Sequence, residues 1–559
     1  MTAYDSASEM RRHSSLVAAG IALSRVTGVL RDAVLAFFLG ANLGADAFRA
    51  ALRIPNLLQN LLGEGVLSAS FIPTYSRLLA EGRERDAGRV AGAVAGLLTV
   101  VVGVLVVLGV VLARPITSLL TPGFTGERLE LTITLVRVMF PGIGVLVLSA
   151  WCLGILNSHR RFFLSYVAPV LWNAGIVATL VALGATGVLD PAVAAGVGVV
   201  VGGTLQLAIQ VPSVVRLMRS SFVPSLDTRS PGVRQVLGAF GPIVAGRGVV
   251  QIAALVDLVL ASLLAVGAVA VLGYAQSLYL LPIALFGMSV AAAELPSLSS
   301  MGADDRAALA GRLDAGLARS AFFVVGGTVG YILVGDLIVQ VLFGRGEFDP
   351  ATAVQVALVL AVYSIGLVPT TASRLLQSVL YATGDPRTPA VVAAVRVGAA
   401  LAIALPLMFT LDQIQVQVVV GERFGLRLAD GAVLPRFTPA DETLRDVATN
   451  QLRLGAVGLA AGAAVASWLE YWLLRRTIAR RYTAPRLGGG TLGRLATAAG
   501  GAVAVIVAAR VLLPEVPALV ELAVAGGAGA ATYLGITLAL AVPEARALLS
   551  PARRPGHRS

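Results

Sequence analysis

The sequence predicts an all-α polytopic membrane protein of about fourteen transmembrane helices, forming two pseudo-symmetric six-helix lobes plus two C-terminal helices. Three observations predict this arrangement. Apolar runs of about 20 residues, each long enough to cross a bilayer, recur along the chain. Hydrophobic residues make up 57 % of the 559 residues and charged residues only 13 %, whereas a soluble globular protein carries about 25 % charged residues. An internal repeat predicts the two lobes.

The apolar runs and the loops between them determine the predicted topology. Alternate loops are rich in arginine, as at 83–89 and 475–486, and the opposite loops are poorer, with Arg114 and Arg128 in one of them. By the positive-inside rule, both termini are expected in the cytoplasm. The spans are expected near residues 14–40, 44–79, 90–114, 130–156, 163–186, 190–216, 234–262, 266–300, 312–343, 352–382, 388–410, 452–476, 489–513 and 516–542.

An internal repeat divides the chain. The segment 143–169 (IGVLVLSAWCLGILNSHRRFFLSYVAP) is echoed by 365–389 (IGLVPTTASRLLQSVLYATGDPRTP); both begin with Ile-Gly and end in Pro after a polar turn. Such repeats are typical of alternating-access transporters. We therefore expect an N-terminal lobe at 1–230 and a C-terminal lobe at 231–480. Residues 481–559 would add two helices and a basic cytoplasmic tail.

The stretch from Ser24 to Leu78 combines an apolar background with charges that a bilayer does not tolerate. Each charge at a bilayer centre costs about 2.5–3.5 kcal/mol on insertion scales. Steps of three or four residues put the polar side chains of the second half on one helical stripe, and Arg25 and Asp32, seven residues apart, share another face. The stripe consists of Asp46, Arg49, Arg53, Asn56, Asn60 and Glu64.

This stripe predicts a polar face turned toward an aqueous interior or a polar ligand. The alternative is a set of ion pairs that join two helices, but the positive charges are not matched one for one nearby. In the C-terminal lobe, Arg374 and Arg396 lie within spans, where they either face the interior or extend to the membrane surface.

A polar insertion at 411–451 interrupts the C-terminal lobe on the extracytoplasmic side. Within it, QIQVQVVV (413–420) alternates with period two, GERFG follows as a turn, and LRLADG comes next. This pattern predicts a small β-hairpin, with an irregular loop as the alternative.

Several function classes are excluded by what the sequence lacks. It has no paired-carboxylate, Ser-His-Asp, Cys-His or HExxH arrangement, so we expect a protein that is not an enzyme and uses no cofactor. All basic residues other than histidine are arginine, so no P-loop lysine exists for an ATP-driven pump. No basic segment is interleaved with aromatic residues, which argues against nucleic-acid binding. The single cysteine, Cys152, excludes a disulfide framework.

A series of motifs runs along nearly the whole chain and omits only the 411–451 insertion. They are SRVTGVLRDAVLAFFLGA (24–41), ADAFRAALRIPNLL (45–58), EGVLSASFIP (64–73), TPGF (121–124), GILNSHRRF (154–162), VAPVLWN (167–173), GGTLQL (202–207), ELPSLS (294–299) and TGDPRTP (383–389). In this order the motifs resemble the MurJ/MviN family of the MOP exporter superfamily.

The resemblance implies fourteen helices, two lobes and a central cationic cavity in the bacterial cytoplasmic membrane. It implies that the protein flips lipid II, the undecaprenyl-pyrophosphate-linked peptidoglycan precursor, to the outer leaflet. Membrane lipids and cell-wall synthesis enzymes would be its other partners. Arg25, Arg31 and Asp46 would be cavity residues, with Ser24, Asp32 and Glu64 in support; Arg49, Arg53 and Asn60 of the stripe complete the expected substrate-binding set.

The sequence departs from the family pattern at Gln59 and Ser277, where members often carry arginine. Arg49 and Arg53 are expected to substitute. Asp257 matches a polar position of a sodium site found in some members, but span eleven offers no Asn or Asp partner. Three alternatives stay open: an exporter of another polyprenyl-linked glycan or a small cation, an integral-membrane enzyme acting on polyprenyl phosphates, and a transport-inactive scaffold for cell-wall enzymes.

Overall fold

A computed structural model describes residues 20, 23–218, 221–283, 306–383, 385, 387–418, 426–428, 438–439, 452–481 and 489–549. The helices up to the middle of the chain are α1 (23–39), α2 (Leu43–Leu62), α3 (Glu64–Ala80), α4 (Glu84–Val111), α5 (Ala113–Leu120), α6 (Gly126–Ser158), α7 (Phe162–Thr179, extended by a π-helical turn Leu180–Gly184), α8 (Pro191–Met218), α9 (Pro231–Ser262) and α10 (Ala268–Pro282). Those that follow are α11 (Arg306–Leu333), α12 (Gly335–Phe343), α13 (Pro350–Ile365), α14 (Leu367–Ala382), α15 (Arg387–Leu411), α16 (Gly455–Arg481), α17 (Gly489–Leu512), α18 (Ala518–Glu521, extended by a π-helical turn Leu522–Gly526), α19 (Gly527–Ala539) and α20 (Pro543–Leu549).

The predicted all-helical membrane fold is confirmed. In the described part of the chain, nine helices are each long and apolar enough to cross a membrane, and the bent pair α13–α14 makes a tenth span. The other four predicted spans coincide with helices that are broken, more polar or only partly within the described residues, namely α1, the pair α2–α3, α9 and α10.

The predicted polar stripe is interrupted at Gly63. Helix α2 begins after Asn42, whose side chain accepts a hydrogen bond from the Ala45 N–H at 3.0 Å. It ends at Leu62, and the next residue leaves helical backbone geometry (Gly63, φ −86°, ψ −144°), where a Cβ would lie 2.3 Å from the Gln59 carbonyl oxygen. The expectation of one continuous stripe is therefore wrong at its last member: Glu64 begins a new helix, α3.

The first of two compact units consists of residues 1–270 and 346–348. In it α2 and α8 pack against α6, and α7 packs along α8. Apolar side chains of α3, α4 and α6 form a buried cluster that includes Leu67, Phe71, Val90 and Ile155. Cys152 is buried in the same cluster as a free thiol.

Helices α7 and α8 approach each other so closely that only glycine fits between them. A Cβ on Gly202 would lie 2.4 Å from the Trp172 carbonyl oxygen, and one on Gly175 would lie 2.4 Å from the Gly202 Cα. We expect Gly202→Ala to destabilise the protein by about 1–3 kcal/mol, since the backbones must separate. Thermal unfolding of the purified protein measures this. Gly103→Ala in α4, with no atom within 4 Å of its added methyl, is the matched control, and equal unfolding temperatures for the two variants would contradict the prediction.

The second compact unit consists of residues 271–345 and 349–559. Helix α15 packs along α16, and α17 packs along α19. One buried cluster joins α11, α14 and α16 through Leu313, Leu376 and Leu474. Another joins α11, α17 and α19, where the Tyr533 hydroxyl donates to the Phe322 carbonyl at 2.7 Å.

A small sheet lies in this unit, at the predicted insertion. Strand β1 (Gln415–Val418) pairs antiparallel with β2 (Leu426–Leu428) and with β3 (Leu452–Arg453), in the order β2-β1-β3. The predicted β-hairpin is therefore present in the described residues. The rest of the 411–451 insertion, apart from 438–439, lies outside them.

The two segments of the predicted repeat have the same local plan. In the first, α6 ends at Ser158 and α7 begins at Phe162; in the second, α14 ends at Ala382 and α15 begins at Arg387. The lobe boundaries drawn from the repeat, at 230 and 480, remain predictions. The compact units divide after Ala270, so α9 belongs to the first unit.

Candidate functional site

Arg31 is the centre of a polar cluster in the first unit. Its Nε and Nη2 donate to Asp32 Oδ1 at 3.2 and 2.9 Å, and its Nη1 donates to Asn173 Oδ1 at 3.0 Å. Arg49 Nη2 lies 3.8 Å from the same Asp32 oxygen. The guanidinium also lies over the Trp172 ring, 5.2 Å from its centroid. We call these five residues the Arg31 cluster.

Three helices position the Arg31 cluster. Asp32 and Arg31 come from α1, Arg49 from the stripe of α2, and the Trp-Asn pair from α7. The Asp32 side chain is 3 % exposed, while those of Arg31 and Arg49 are 17 % and 15 % exposed. Two arginines around one buried carboxylate leave a net positive charge, so the cluster can still attract an anion.

Trp172 and Asn173 were missed as site residues by reasoning from the sequence. The signal was present: an asparagine lies inside an apolar span, within the motif VAPVLWN. Asn173 makes two hydrogen bonds to α1: its side chain accepts from Arg31, and its Nδ2 donates to Thr27 Oγ1 at 3.1 Å. The Thr27 hydroxyl in turn donates to the Ser24 carbonyl at 3.0 Å.

Asp46 lies apart from the Arg31 cluster, in a fully enclosed position. Its Oδ2 accepts from the Gly267 N–H at 2.7 Å and its Oδ1 from the Ala270 N–H at 2.8 Å. Arg128 Nη2 lies 2.7 Å from Oδ2, and the two side chains are 0 % and 1 % exposed. The Arg128 guanidinium also covers the Phe124 ring, 3.7 Å from the centroid. In this conformation the Asp46–Arg128 pair joins α2, α6 and the start of α10 and presents no free face to a ligand.

This arrangement corrects one expectation. Arg128 was counted among the loop arginines, but it lies in the first turn of α6 and is buried. Its charge is therefore no guide to the membrane orientation. The ion-pair alternative considered for the charged stretch thus holds at Asp46.

The other predicted site residues are spread along the first unit. Arg25 is exposed, Ser24 and Arg53 are half-buried, and Glu64 is exposed at the start of α3. Asn60 donates to the Gln251 side chain at 3.0 Å. Since Asn60 lies eleven residues after Arg49, it is about 16 Å further along the helix axis. The structure therefore brings together Arg31, Asp32 and Arg49 and does not bring the whole set into one contact group.

The two positions that lack the family arginine make local bonds. Gln59 is half-buried on α2, and its backbone carbonyl accepts a hydrogen bond from the Gly63 N–H at 2.8 Å. The Ser277 hydroxyl donates to the Gly273 carbonyl one turn earlier at 3.0 Å. Neither side chain carries a charge that could bind an anion.

The second unit contains two polar groups of its own. Glu470, which sequence reasoning did not single out, is buried in α16; it accepts from Gln377 Nε2 at 2.9 Å and lies 3.4 Å from Arg396 Nη1. Arg510 of α17 donates to both carboxylate oxygens of Asp336 at 2.9 and 2.6 Å. Arg374 is exposed on α14, so whether it faces an interior or the membrane surface stays open.

Asp257, the sodium candidate, is exposed on α9. In the described ranges, no group of three or more His, Cys, Asp or Glu side chains is placed to hold a metal ion. Asp257 therefore has no carboxylate or imidazole ligand set around it in that part of the chain.

An apolar cavity of about 330 Å³ lies in the second unit, between α11, α17 and α19. Gly326, Gly330, Ile506 and Tyr533 are among its lining residues. Gly326 also packs against the Tyr533 ring, which a Cβ would approach to 3.1 Å. Gly326 therefore lies at a helix-packing contact between α11 and α19.

A protein-family model described as "Lipid II flippase MurJ" matches residues 35–419. The chain belongs to the MurJ family. The lipid II flippase MurJ of Burkholderia cenocepacia is 32 % identical over 377 residues, covering 66 % of this chain and 73 % of that relative. The probable lipid II flippase MurJ of Vibrio cholerae is 30 % identical over 387 residues, covering 67 % and 73 %.

Two solved structures have a fold similar to that of this MurJ-family chain. A lipid II flippase MurJ in an inward closed conformation matches with a TM-score of 0.72 at 20 % identity, covering 96 % of this chain and all of that one. An inward-facing MATE multidrug transporter of the MOP superfamily matches with a TM-score of 0.58 at 16 % identity, covering 82 % and 95 %. At these identities the matches show the fold alone. The apolar helices and the MurJ family indicate a multi-pass protein of the bacterial inner membrane.

Proposed function

We propose that this protein flips lipid II from the cytoplasmic to the outer leaflet by alternating access, as a transporter and not as a catalyst. The single observation that carries the proposal is the Arg31 cluster, a partly neutralised pair of arginines between the helices of a MurJ-family chain. The names of the relatives above suggest the substrate.

The chemistry of the Arg31 cluster suits a pyrophosphate. A guanidinium presents a planar fork of N–H donors that can bond two phosphate oxygens at once. Asp32 accepts from Nε and Nη2 of Arg31, and Asn173 accepts from Nη1. Because these bonds already fix the guanidinium, less side-chain entropy is lost when an anion binds to its remaining N–H groups. Arg49 and Arg53, one turn apart on α2, extend the positive face and compensate for the uncharged Gln59.

The polyprenyl tail has a candidate groove in the second unit. The 330 Å³ cavity between α11, α17 and α19 is lined mainly by apolar and glycine residues. An isoprenoid chain would gain about 25 cal/mol for each Å² of apolar surface that it buries there.

Orientation and partners complete the proposal. The arginine-rich loops favour an orientation with both termini in the cytoplasm, so the headgroup would enter from the side where both ends of the chain lie. The enzymes that make lipid II and those that polymerise its headgroup are the proposed partners in peptidoglycan synthesis.

Complementation tests the proposal. Expressed in cells depleted of their own lipid II flippase, the protein should restore growth and the appearance of lipid II in the outer leaflet. If the protein is present in the membrane and neither returns, lipid II is not its substrate.

One observation favours a second candidate, an exporter of another polyprenyl-linked glycan: Gln59 and Ser277 lack the charges often found in the family. Competition between lipid II and other polyprenyl-linked glycans in vesicles separates the two. If lipid II at equal concentration fully inhibits transport of the other glycan, the first candidate is supported. If lipid II does not inhibit that transport, the second candidate is supported.

A further inference from the structure

A basic notch lies in the second unit, where α15 begins and α16 ends. Its volume is about 420 Å³, and its polar lining consists of Arg387, Thr388, Thr477, Arg480 and Arg481. These residues are far along the chain from the Arg31 cluster and take no part in the proposed transport. We call this group the basic notch.

The basic notch keeps an excess of positive charge at neutral pH. Asp385 accepts from the Thr388 N–H at 3.0 Å and from the Thr388 hydroxyl, and it forms an ion pair with Arg481. The hydrogen bonds from Thr388 and Arg481 lower the pKa of Asp385 to about 2, so its carboxylate stays ionised and balances Arg481. Arg387 and Arg480 make no hydrogen bond or ion pair with any residue that the structure describes. The notch therefore carries two arginine charges available to an anion.

The surface beside the notch is apolar. Val391, which lines the notch, is 63 % exposed, and Val395, one turn further along α15, is 44 % exposed. On α16, the exposed Trp472 lies against Arg476, 5.2 Å from ring centroid to guanidinium carbon. Exposed tryptophan next to arginine is typical of the membrane–water interface. A soluble anion gains nothing from these valines, whereas the acyl chains of a lipid would cover them.

We propose that the basic notch binds the headgroup phosphate of an anionic phospholipid, with its acyl chains along Val391 and Val395. Basic pockets between transmembrane helices at the cytoplasmic face commonly hold such headgroups. The positive-inside rule puts this arginine-rich end of α15 and α16 at that face. The site is independent of the transported substrate.

The test compares phospholipids on the purified full-length protein by native mass spectrometry. Phosphatidylglycerol and phosphatidylcholine with identical acyl chains are added to delipidated wild type, to Arg387→Gln/Arg480→Gln and to Arg475→Gln/Arg476→Gln. The last variant removes the same charge from the same helix end without changing the notch lining. We expect wild type and this control to prefer phosphatidylglycerol, and the notch variant to bind it at least about tenfold more weakly.

Two results would overturn the proposal. One is equal loss in the notch variant and the control, which would mean that net charge alone attracts the lipid. The other is complete displacement of phosphatidylglycerol by an equal concentration of inorganic phosphate, which would identify a site for a soluble anion. If the double notch variant does not fold, the single variants Arg387→Gln and Arg480→Gln take its place. Each should weaken phosphatidylglycerol binding several-fold, and unchanged binding in both refutes the proposal.

Discussion

Arg31→Gln should lower lipid II flipping at least about thirtyfold while the protein still reaches the membrane. The Arg31 guanidinium makes three hydrogen bonds in the Arg31 cluster, two to Asp32 and one to Asn173. Glutamine has no charge and no second donor group in a fork, so the group proposed to bind the phosphate of lipid II is lost. Removing one partner of a buried charge pair costs about 2–5 kcal/mol, which corresponds to a fall of about thirtyfold or more in flipping. Outer-leaflet lipid II in the depleted strain, at matched protein level, measures it.

Two controls distinguish the loss of a substrate-binding side chain from the loss of the folded site around it. Arg31→Gln/Asp32→Asn removes both charges, so the Asp32 carboxylate is not left without the Arg31 charge. If Arg31 contacts the substrate, this variant should stay inactive although it is stable. Arg216→Gln changes an arginine at the exposed end of α8 and should flip normally. Recovery of activity in the double variant would show that Arg31 only neutralises Asp32.

Asp46→Ala should cost about 3–5 kcal/mol of stability, because it leaves the Arg128 charge buried without its partner. It also removes the acceptor for the Gly267 and Ala270 N–H groups, and unsatisfied buried donors add to the cost. Thermal unfolding of the purified protein, followed alongside its membrane level, measures the effect. Transport should fall with the amount of folded protein.

Glu130 is the matched control for Asp46, because it lies on α6, the helix that carries Arg128. Glu130 of α6 forms an ion pair with Arg114 at 2.7 Å, but both side chains are more than half exposed, and such surface pairs are worth about 0–1 kcal/mol. Glu130→Ala should therefore unfold close to wild type. Asp46→Asn/Arg128→Met should recover part of the lost stability, since the unpaired charge is gone and the amide oxygen still accepts from one of the two backbone N–H groups. An Asp46→Ala variant as stable as wild type would contradict the role of the pair.

Long-range contacts explain where sequence reasoning about the site fell short. The three-and-four spacing of Asp46, Arg49 and Arg53 shows that they share a helical stripe. It does not show which neighbouring helix each side chain contacts. Asp46 pairs with a residue 82 positions later in the chain, and Arg31 bonds one 142 positions later. No local periodicity reports such partners, so Asp46 was expected in a cavity and Asn173 was not singled out.

The sequence by itself determined the membrane class, the position of the helices and the short hairpin of the insertion. These follow from local rules: apolar length, helical spacing and strand alternation each act within about 20 residues. Only the tertiary structure decided which charges are paired and that the stripe breaks at Gly63. It also decided that two arginines of the basic notch have no counter-ion among the residues that the structure describes. Those outcomes depend on the approach of distant helices, because burial and a nearby counter-ion decide whether a charge is stabilised inside the protein or available to a ligand.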